Sequence, residues 1–160
     1  MDLTQYYELV ESCIRELGVD PVTCRNEPGK WTLKKGSATV WIDLWHIERE
    51  NRPYYQVMSP VMRIPKDIKL KNLLFEELLA INDKLFGVAF TIYQGWVYLK
   101  VIREVDGMDQ NEAMAMLHRV GNYADQYDDD LIAKYGDDTP PPPVNEGGIP
   151  PEGGGGKSDV

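Results

Sequence analysis

The chain has 160 residues, of which 42% are hydrophobic and 27% charged, and its formal net charge is -9 at pH 7. The negative charge argues against nucleic-acid binding, which depends on clustered Lys and Arg residues, and against adhesion to an anionic membrane. No apolar run approaches the roughly 20 residues that a membrane-spanning helix needs, and no secretory signal pattern follows Met1. We therefore expect one globular domain with a flexible appendage, located in the cytoplasm.

In chain order, the residues predict a helix, three strands, a second helix, two strands and a third helix. In the first helix, apolar residues recur at spacings of three and four from Tyr6 to Leu17. Asp2 and Gln5 are candidates for its capping box, and Gly18 is a natural C-terminal stop. Three runs of β-type residues follow, over residues 31–35, 38–47 and 54–64.

The second helix is predicted over residues 68–86, where the sequence returns to helical spacing. Leu74 and Leu78 lie on its central apolar stripe, and Leu73 and Leu79 widen that stripe. A stripe this broad predicts a central, heavily buried helix.

A hairpin and the last helix complete the predicted domain. Residues 88–93 and 96–105 are the two strands of the hairpin, joined across Gln94-Gly95, where Gly permits positive φ in a two-residue turn. Asp109 and Glu112 are capping-box candidates at the start of the last helix.

The chain divides near Gly136. Residues 1–136 form the predicted domain, whereas residues 137–160 have no apolar periodicity and cannot offset the entropy of ordering, so we expect a disordered, acidic Pro- and Gly-rich tail. The prolines at 140–143 favour polyproline II. They could also dock in an aromatic groove, but patterns this short arise often by chance, and a solvating tail or spacer is the favoured interpretation.

The strand at residues 38–47 alternates between two faces. From Ala38 to Leu44 its even-numbered residues are aliphatic and predict the core face, whereas Trp41 and Trp45 point the other way. Exposed indoles would mark a contact with another chain, although a terminal helix that covers this face is an equally open alternative. In the next strand, alternation predicts that Met58 and Met62 share a face with Tyr54. The candidate protein-binding residues are Trp41, Trp45, Tyr54, Met58 and Met62.

The sequence shows no recognisable catalytic arrangement. His46 and His118 are its only histidines and lie in separate elements, so a metal or small-molecule site around His46 is the alternative hypothesis and not the favoured one. The acidic triplet at 128–130 points in different directions on a helix and predicts a solvated face. Cys13 and Cys24 are both expected to be reduced.

Four phrases of the sequence carry a resemblance to a known family. They are WTLKKGSATV at residues 31–40, SPV at 59–61, LLAIN at 78–82 and ADQY at 124–127. Together they look like the YbjN-like family of bacterial proteins, which is similar in fold to the chaperones of type III secretion. The resemblance spans roughly residues 3–135. It implies an α+β domain with a five-stranded, mainly antiparallel sheet flanked by helices, no enzymatic activity and no cofactor.

The favoured hypothesis is a non-enzymatic, chaperone-like or adaptor domain that binds or regulates another protein. We expect a captured peptide or a second copy of the chain, in a homodimer, to cover the face that carries Trp41 and Trp45. No nucleic-acid or membrane partner is expected. The alternative is the site around His46, or an enzyme of unfamiliar type.

Overall fold

The computed structural model describes residues 2–137 and 139–142, which form four helices and six strands. The helices are α1 (Thr4–Glu16), α2 (Pro21–Cys24), α3 (Ile68–Asn82) and α4 (Gln110–Tyr135). The strands are β1 (Arg25–Glu27), β2 (Lys30–Lys35), β3 (Ala38–Ile47), β4 (Arg52–Arg63), β5 (Ala89–Tyr93) and β6 (Trp96–Glu104). Within these described residues, no helix is both long and apolar enough to cross a membrane. Of the tail predicted over residues 137–160, residue 138 and residues 143–160 lie outside them.

The strands form one antiparallel sheet in the order β1-β2-β3-β4-β6-β5. The α+β class, the antiparallel pairing and the flanking helices are thus confirmed, but the expectation of five strands is wrong. The segment between Gly18 and the first predicted strand, for which no element is predicted, contains α2 and the sixth strand, β1. Asp20 caps α2 by accepting a hydrogen bond from Val22 N at 3.0 Å, and Arg25 then pairs with Trp31 on β2.

The main hydrophobic core lies between the sheet and the helices. Helix α4 packs across β2, β3, β4 and β6, while α1 packs against α4, and α3 contacts α4 and β5. The core face of β3 supplies the aliphatic residues from Ala38 to Leu44, as the alternation predicted. All of the buried apolar residues of α1, α3 and α4 belong to this same core. These helices therefore cover one side of the sheet.

Helix α3 is less buried than its sequence predicted. It ends at Asn82, and its fully buried residues are Leu74 and Leu78. Leu73 and Leu79, which were expected to widen the core stripe, are 54% and 71% exposed. Three exposed apolar residues, Ile68, Leu79 and Phe86, are here called the α3 stripe: the first two lie on α3 and Phe86 follows the helix end.

The predicted helix caps have mixed outcomes. Asp109 and Glu112 form a complete capping box at the start of α4, as expected. Helix α1 has no side-chain cap, because the Asp2 carboxylate accepts hydrogen bonds from the backbone N–H and hydroxyl of Thr4 before the first turn. Gly18 follows the end of α1 with φ of +81° and donates its N–H to Arg15 O, which matches the predicted stop.

The acidic triplet is not a fully solvated face. Asp128 is 7% exposed and accepts a hydrogen bond from Ser37 Oγ at 2.7 Å, in the turn between β2 and β3. Asp125 accepts from Ser37 N at 3.0 Å. A Cβ atom on the neighbouring Gly36, whose φ is +56°, would lie 2.1 Å from Asp125 Oδ1. The turn thus needs Gly at this position, since both its backbone angle and its distance from α4 exclude a side chain.

The outer edge of β5 is occupied by a side chain of α3. The Asn82 amide accepts a hydrogen bond from Phe90 N at 2.7 Å and donates one to Phe90 O at 3.3 Å. This side chain therefore makes the two hydrogen bonds that a neighbouring strand would make at this position.

Candidate functional site

The side of the sheet opposite the helices carries a concentration of aromatic side chains. On β3, alternation places Trp41 and Trp45 on this side, and the strand register sets them opposite Met58 and Tyr54 on β4. Strand β6 and the end of β5 continue the surface toward the hairpin turn. We call this surface the aromatic face, and it comprises Trp41, Trp45, Tyr54, Met58, Tyr93, Trp96 and Tyr98.

The centre of the aromatic face is a second hydrophobic cluster, separate from the main core. Trp41, Met58 and Tyr98 are 1%, 2% and 4% exposed, and the half-buried Tyr93 and Trp96 pack against them. The Trp41 and Tyr98 rings have their centroids 6.0 Å apart at an interplanar angle of 44°. In the part of the chain that the structure describes, every member of this cluster is a strand residue, so no helix described there contributes to it.

Trp45 and Tyr54 form a neighbouring pair nearer the end of β3. Their ring centroids are 6.3 Å apart and both side chains are half-buried. Half-buried aromatic rings can contact a partner without first leaving the folded core, because part of their surface already faces solvent. The pair is therefore the more accessible section of the aromatic face, whereas Trp41 is a structural residue at its centre.

Met62 lies on the other side of the sheet. The pairing of β4 with β6 shifts register between Pro60 and Met62, and Met62 pairs with Val97 in the main core, where it is 2% exposed. The prediction that Met62 shares a face with Tyr54 and Met58 is therefore wrong in its geometry. The cause is the extra residue of a β-bulge, which reverses the alternation that the sequence implied.

Polar groups cross the middle of the aromatic face. Asp43 and Gln56 are paired across β3 and β4, both are at most 1% exposed, and Gln56 Nε2 donates to Asp43 Oδ2 at 3.4 Å. Lys100 lies opposite Met58, and burial lowers its pKa although the nearby Asp43 carboxylate opposes that shift. The indole Nε1 of Trp41 is buried and has no hydrogen-bond partner within the described residues. The face thus combines apolar rings with a buried donor and a half-buried cation.

The carboxylates near His46 in the sequence do not converge on its imidazole. Alternation along β3 places His46 and Asp43 on opposite faces, and His46 Nδ1 lies 3.2 Å from the exposed carboxylate of Glu48. Over residues 2–137 and 139–142, no three His, Cys, Asp or Glu side chains come together as a set of metal ligands.

The thiols are also unsuited to nucleophilic chemistry. Cys13 and Cys24 are free, as expected. Burial raises the pKa of the Cys13 thiol to about 11 and raises that of Cys24 above its ordinary value. Because the thiolate is the nucleophile, both shifts make these side chains less reactive at neutral pH.

Several residues of the aromatic face were not identified from the sequence. Tyr93, Trp96, Tyr98 and Lys100 come from the hairpin, which was predicted correctly but was not examined for its faces. The signal was present, because Trp96, Tyr98 and Lys100 alternate along β6 in the same way as Trp41 and Trp45 alternate along β3. What the sequence does not contain is the register that brings the two strands into one surface.

Comparison with known proteins identifies the fold and the family. No curated protein sequence matches the chain. Among solved structures, the chain is similar to a chain of the ExsC–ExsE complex, with a TM-score of 0.60, 17% sequence identity, and coverage of 82% of this chain and 97% of that chain. It is also similar to a chain of the HopA1–SchA chaperone–effector complex, with a TM-score of 0.56, 10% identity, and coverage of 81% and 98%. At these identities, the similarity shows a shared fold.

The family comparison covers nearly all of the described chain. Residues 4–140 match the family TY-Chap1, described as T3SS (YopN, CesT) and YbjN peptide-binding chaperone 1. This match confirms the resemblance noted from the four sequence phrases and the expectation of a non-enzymatic, chaperone-like protein that binds other proteins. The chain belongs to the TY-Chap1 family of peptide-binding chaperones.

Proposed function

We propose that this protein is a peptide-binding chaperone that holds an extended, apolar segment of a partner protein on its aromatic face. The observation that carries the proposal is the second hydrophobic cluster, which consists of strand residues throughout the described part of the chain and is continued by the Trp45–Tyr54 pair. Aromatic side chains supply large contact areas at a small cost in side-chain entropy, which is why they dominate the binding energy of protein interfaces. Their concentration on the side opposite the helices favours an interaction role.

The chemistry of the face indicates what the partner segment offers. Flat rings at Trp45, Tyr54, Tyr93 and Trp96 suit aliphatic or aromatic side chains, and the Tyr hydroxyls suit a backbone carbonyl. An extended peptide presents both kinds of group, since its side chains alternate and its carbonyls point sideways. We therefore infer that the partner binds through a short extended segment and not through a charged surface.

The test uses the accessible pair. Trp41 is 1% exposed, so its substitution would destabilise the domain. The double change Trp45→Ser with Tyr54→Ser removes two half-buried rings instead. Its matched control is Val22→Ser on α2, where the side chain is 67% exposed and belongs to neither hydrophobic cluster.

The probes are short synthetic peptides of graded aliphatic and aromatic content, titrated by fluorescence anisotropy. We expect the double variant to bind its best peptide at least 10-fold more weakly than the unmodified chain, a loss of about 1.4 kcal/mol. The control should bind as the unmodified chain does, and the circular dichroism spectra of all three proteins should agree. Equal affinities for the double variant and the control would refute the role of the aromatic face.

The α3 stripe supports a second function, self-association. Ile68, Leu79 and Phe86 are 59%, 71% and 72% exposed. Helical spacing places Ile68 and Leu79 on one side of α3, and Phe86 follows the helix end. Monomeric proteins seldom expose a contiguous apolar row of this kind, and two copies of it related by a two-fold axis would cover each other. We therefore propose a homodimer through α3.

Light scattering tests this interface. It should give the dimer mass for the unmodified chain and for the control Val22→Lys, and the monomer mass for Leu79→Lys. A dimer mass for Leu79→Lys would contradict the interface.

The remaining expectations concern where and with what the protein acts. The net charge of -9 supports a cytoplasmic chaperone whose partners are neither nucleic acids nor membranes. Cosedimentation with anionic vesicles and a filter-binding assay with DNA should both be negative at physiological salt. Binding in either assay would overturn this part of the proposal.

A further inference from the structure

We propose that residues 140–151 of the chain's own C-terminal segment occupy the aromatic face and compete there with the partner segment. The inference rests on the proposed function of that face, and it gives the face an intramolecular occupant of defined chemistry. Three observations support it: the route of the chain after α4, the length of the segment and its composition.

The route of the chain leads to the rim of the aromatic face. Helix α4 ends at Tyr135 on the helix side of the sheet, and Asp137 Oδ2 then accepts a hydrogen bond from Arg63 Nη2 at 2.6 Å. Arg63 is the last residue of β4 and pairs with Trp96, which belongs to the aromatic face. The chain therefore reaches the end of the sheet at the rim of that face. Two residues farther on, Thr139 N donates to Asp137 Oδ1 at 3.0 Å and forms a local turn.

The segment is long enough to cross the cluster. From Arg63 to Met58 the face extends five residues along β4, roughly 17 Å at the rise of a strand. A polyproline II segment advances about 3.1 Å per residue, so a segment of about twelve residues would span up to roughly 37 Å in that conformation. The segment can thus pass Trp96 and reach Trp41 with residues to spare.

The composition of the segment fits an aromatic surface. Prolines stand at 140–143 and again at 150–151, and polyproline II segments bind grooves lined by aromatic rings. Proline has no N–H, so such a segment presents chiefly carbonyl acceptors. The strand register places Trp96 opposite Arg63 and Tyr93 opposite Trp96, so the prolines at 140–143 would meet these two half-buried rings first.

The charges of the two surfaces contribute little. The segment between residues 140 and 151 carries Glu146 and no basic residue. The strand register places Lys30, Lys34 and Lys100 on the same side of the sheet as Trp41, but it places Asp43 and Glu104 there as well, and Lys30 is ion-paired with Glu27. The exposed lysines add little attraction once salt screens them.

Intramolecular occupancy has a functional consequence. A segment tethered at Arg63 is present at a high effective concentration near the face, so a partner binds only if it displaces the segment. Occupancy by the chain's own prolines would therefore keep the aromatic rings covered until a partner with more apolar side chains arrives.

The test uses two full-length variants with four substitutions each. In the first, each proline at 140–143 is replaced by Ser; in the matched control, each glycine at 153–156 is replaced by Ser. Acrylamide quenching of tryptophan fluorescence reports on the face, because Trp41, Trp45 and Trp96 lie on it, whereas Trp31 is in the main core. The second measurement is the affinity of each protein for the best synthetic peptide found in the binding test above.

We expect the proline variant to be quenched about twofold more strongly and to bind the peptide at least threefold more tightly than the unmodified chain, while the glycine variant changes neither value.

Unchanged quenching and affinity in the proline variant would refute the tail as occupant. In that case, peptide binding that is still lost in Trp45→Ser with Tyr54→Ser would leave the proposed function intact. Absence of peptide binding in every protein, with stronger quenching in the proline variant, would instead support the tail and refute the proposed function. If the quenching of the unmodified chain instead decreases as the protein concentration rises, a second copy is the occupant and the intramolecular proposal is overturned.

Discussion

The contrast between Leu74 and Leu79 on helix α3 gives a sharp test of the fold. Leu74 is fully buried in the main core, whereas Leu79 is 71% exposed on the α3 stripe. Both lie inside the helix, so replacing either by Ala changes the same side chain and has the same small effect on helix propensity. The difference between the two variants therefore reports burial alone.

The expected magnitudes follow from the exposure of each side chain. Leu74→Ala removes three buried carbons, worth about 2.4 kcal/mol at ~0.8 kcal/mol each, and the residual cavity brings the total to about 3 kcal/mol. At protein concentrations where the chain is monomeric, Leu79→Ala should change the free energy of unfolding by less than about 0.5 kcal/mol, as is usual for exposed positions. For a domain of this size, 1 kcal/mol corresponds to about 3 to 4 °C in melting temperature, so Leu74→Ala should melt about 10 °C lower.

The assay is urea unfolding followed by circular dichroism, with differential scanning calorimetry as an independent measurement. Both variants should keep the denaturant dependence of the unmodified chain, which shows that the unfolded state is unchanged. The reasoning is refuted if the two substitutions cost the same free energy. Equal large losses would mean that the α3 stripe is buried in solution, by a second copy or by another segment, and repeating the measurement over a range of protein concentrations would separate these cases.

Two further predictions concern a turn and a pH dependence. Gly36→Ala should destabilise the domain by at least about 1 kcal/mol more than Gly95→Ala. Both glycines have positive φ, but only a Cβ atom at Gly36 would collide with Asp125. Equal losses of stability in urea unfolding would show that the turn can move away from α4. Hydrogen bonds first from Lys134 and then from Tyr135 hold the pKa of Glu77 below its ordinary value of 4.5. Ionised Glu77 therefore stabilises the fold above about pH 4.5, and this stabilisation is lost as the pH falls through the lowered pKa. The stability difference between the unmodified chain and Glu77→Gln should shrink toward zero in acid. A difference that is constant with pH would exclude this contribution.

Much of the fold could be predicted because its signals are local. The strand at 38–47 has the predicted bounds, since its alternation is long and regular and a turn stands at each end. The capping box at Asp109 is likewise written in four consecutive residues. The short elements α2 and β1 have too few residues for a periodic pattern, and β1 exists because β2 offers it a pairing edge.

The aromatic face could be predicted in part for a related reason. Trp41 and Trp45 were placed on the correct side, because that placement depends only on alternation within β3. Met62 was misplaced because the bulge after Pro60 arises from pairing with β6, which the sequence of β4 alone does not contain. Likewise, the burial of Asp128 depends on Ser37, a residue far away along the chain. Errors of this kind concentrate where a residue's environment is set by a distant element.

The hydrogen bonds of Asn82 to Phe90 have a consequence for the behaviour of the protein at high concentration. Strand β5 is the edge of the sheet, and an uncovered edge offers its backbone groups to the same edge of another molecule. By bonding to Phe90, the second residue of the strand, the amide of Asn82 removes one donor and one acceptor from that template. A single side chain therefore hinders the pairing of this edge with the β5 edge of a second molecule.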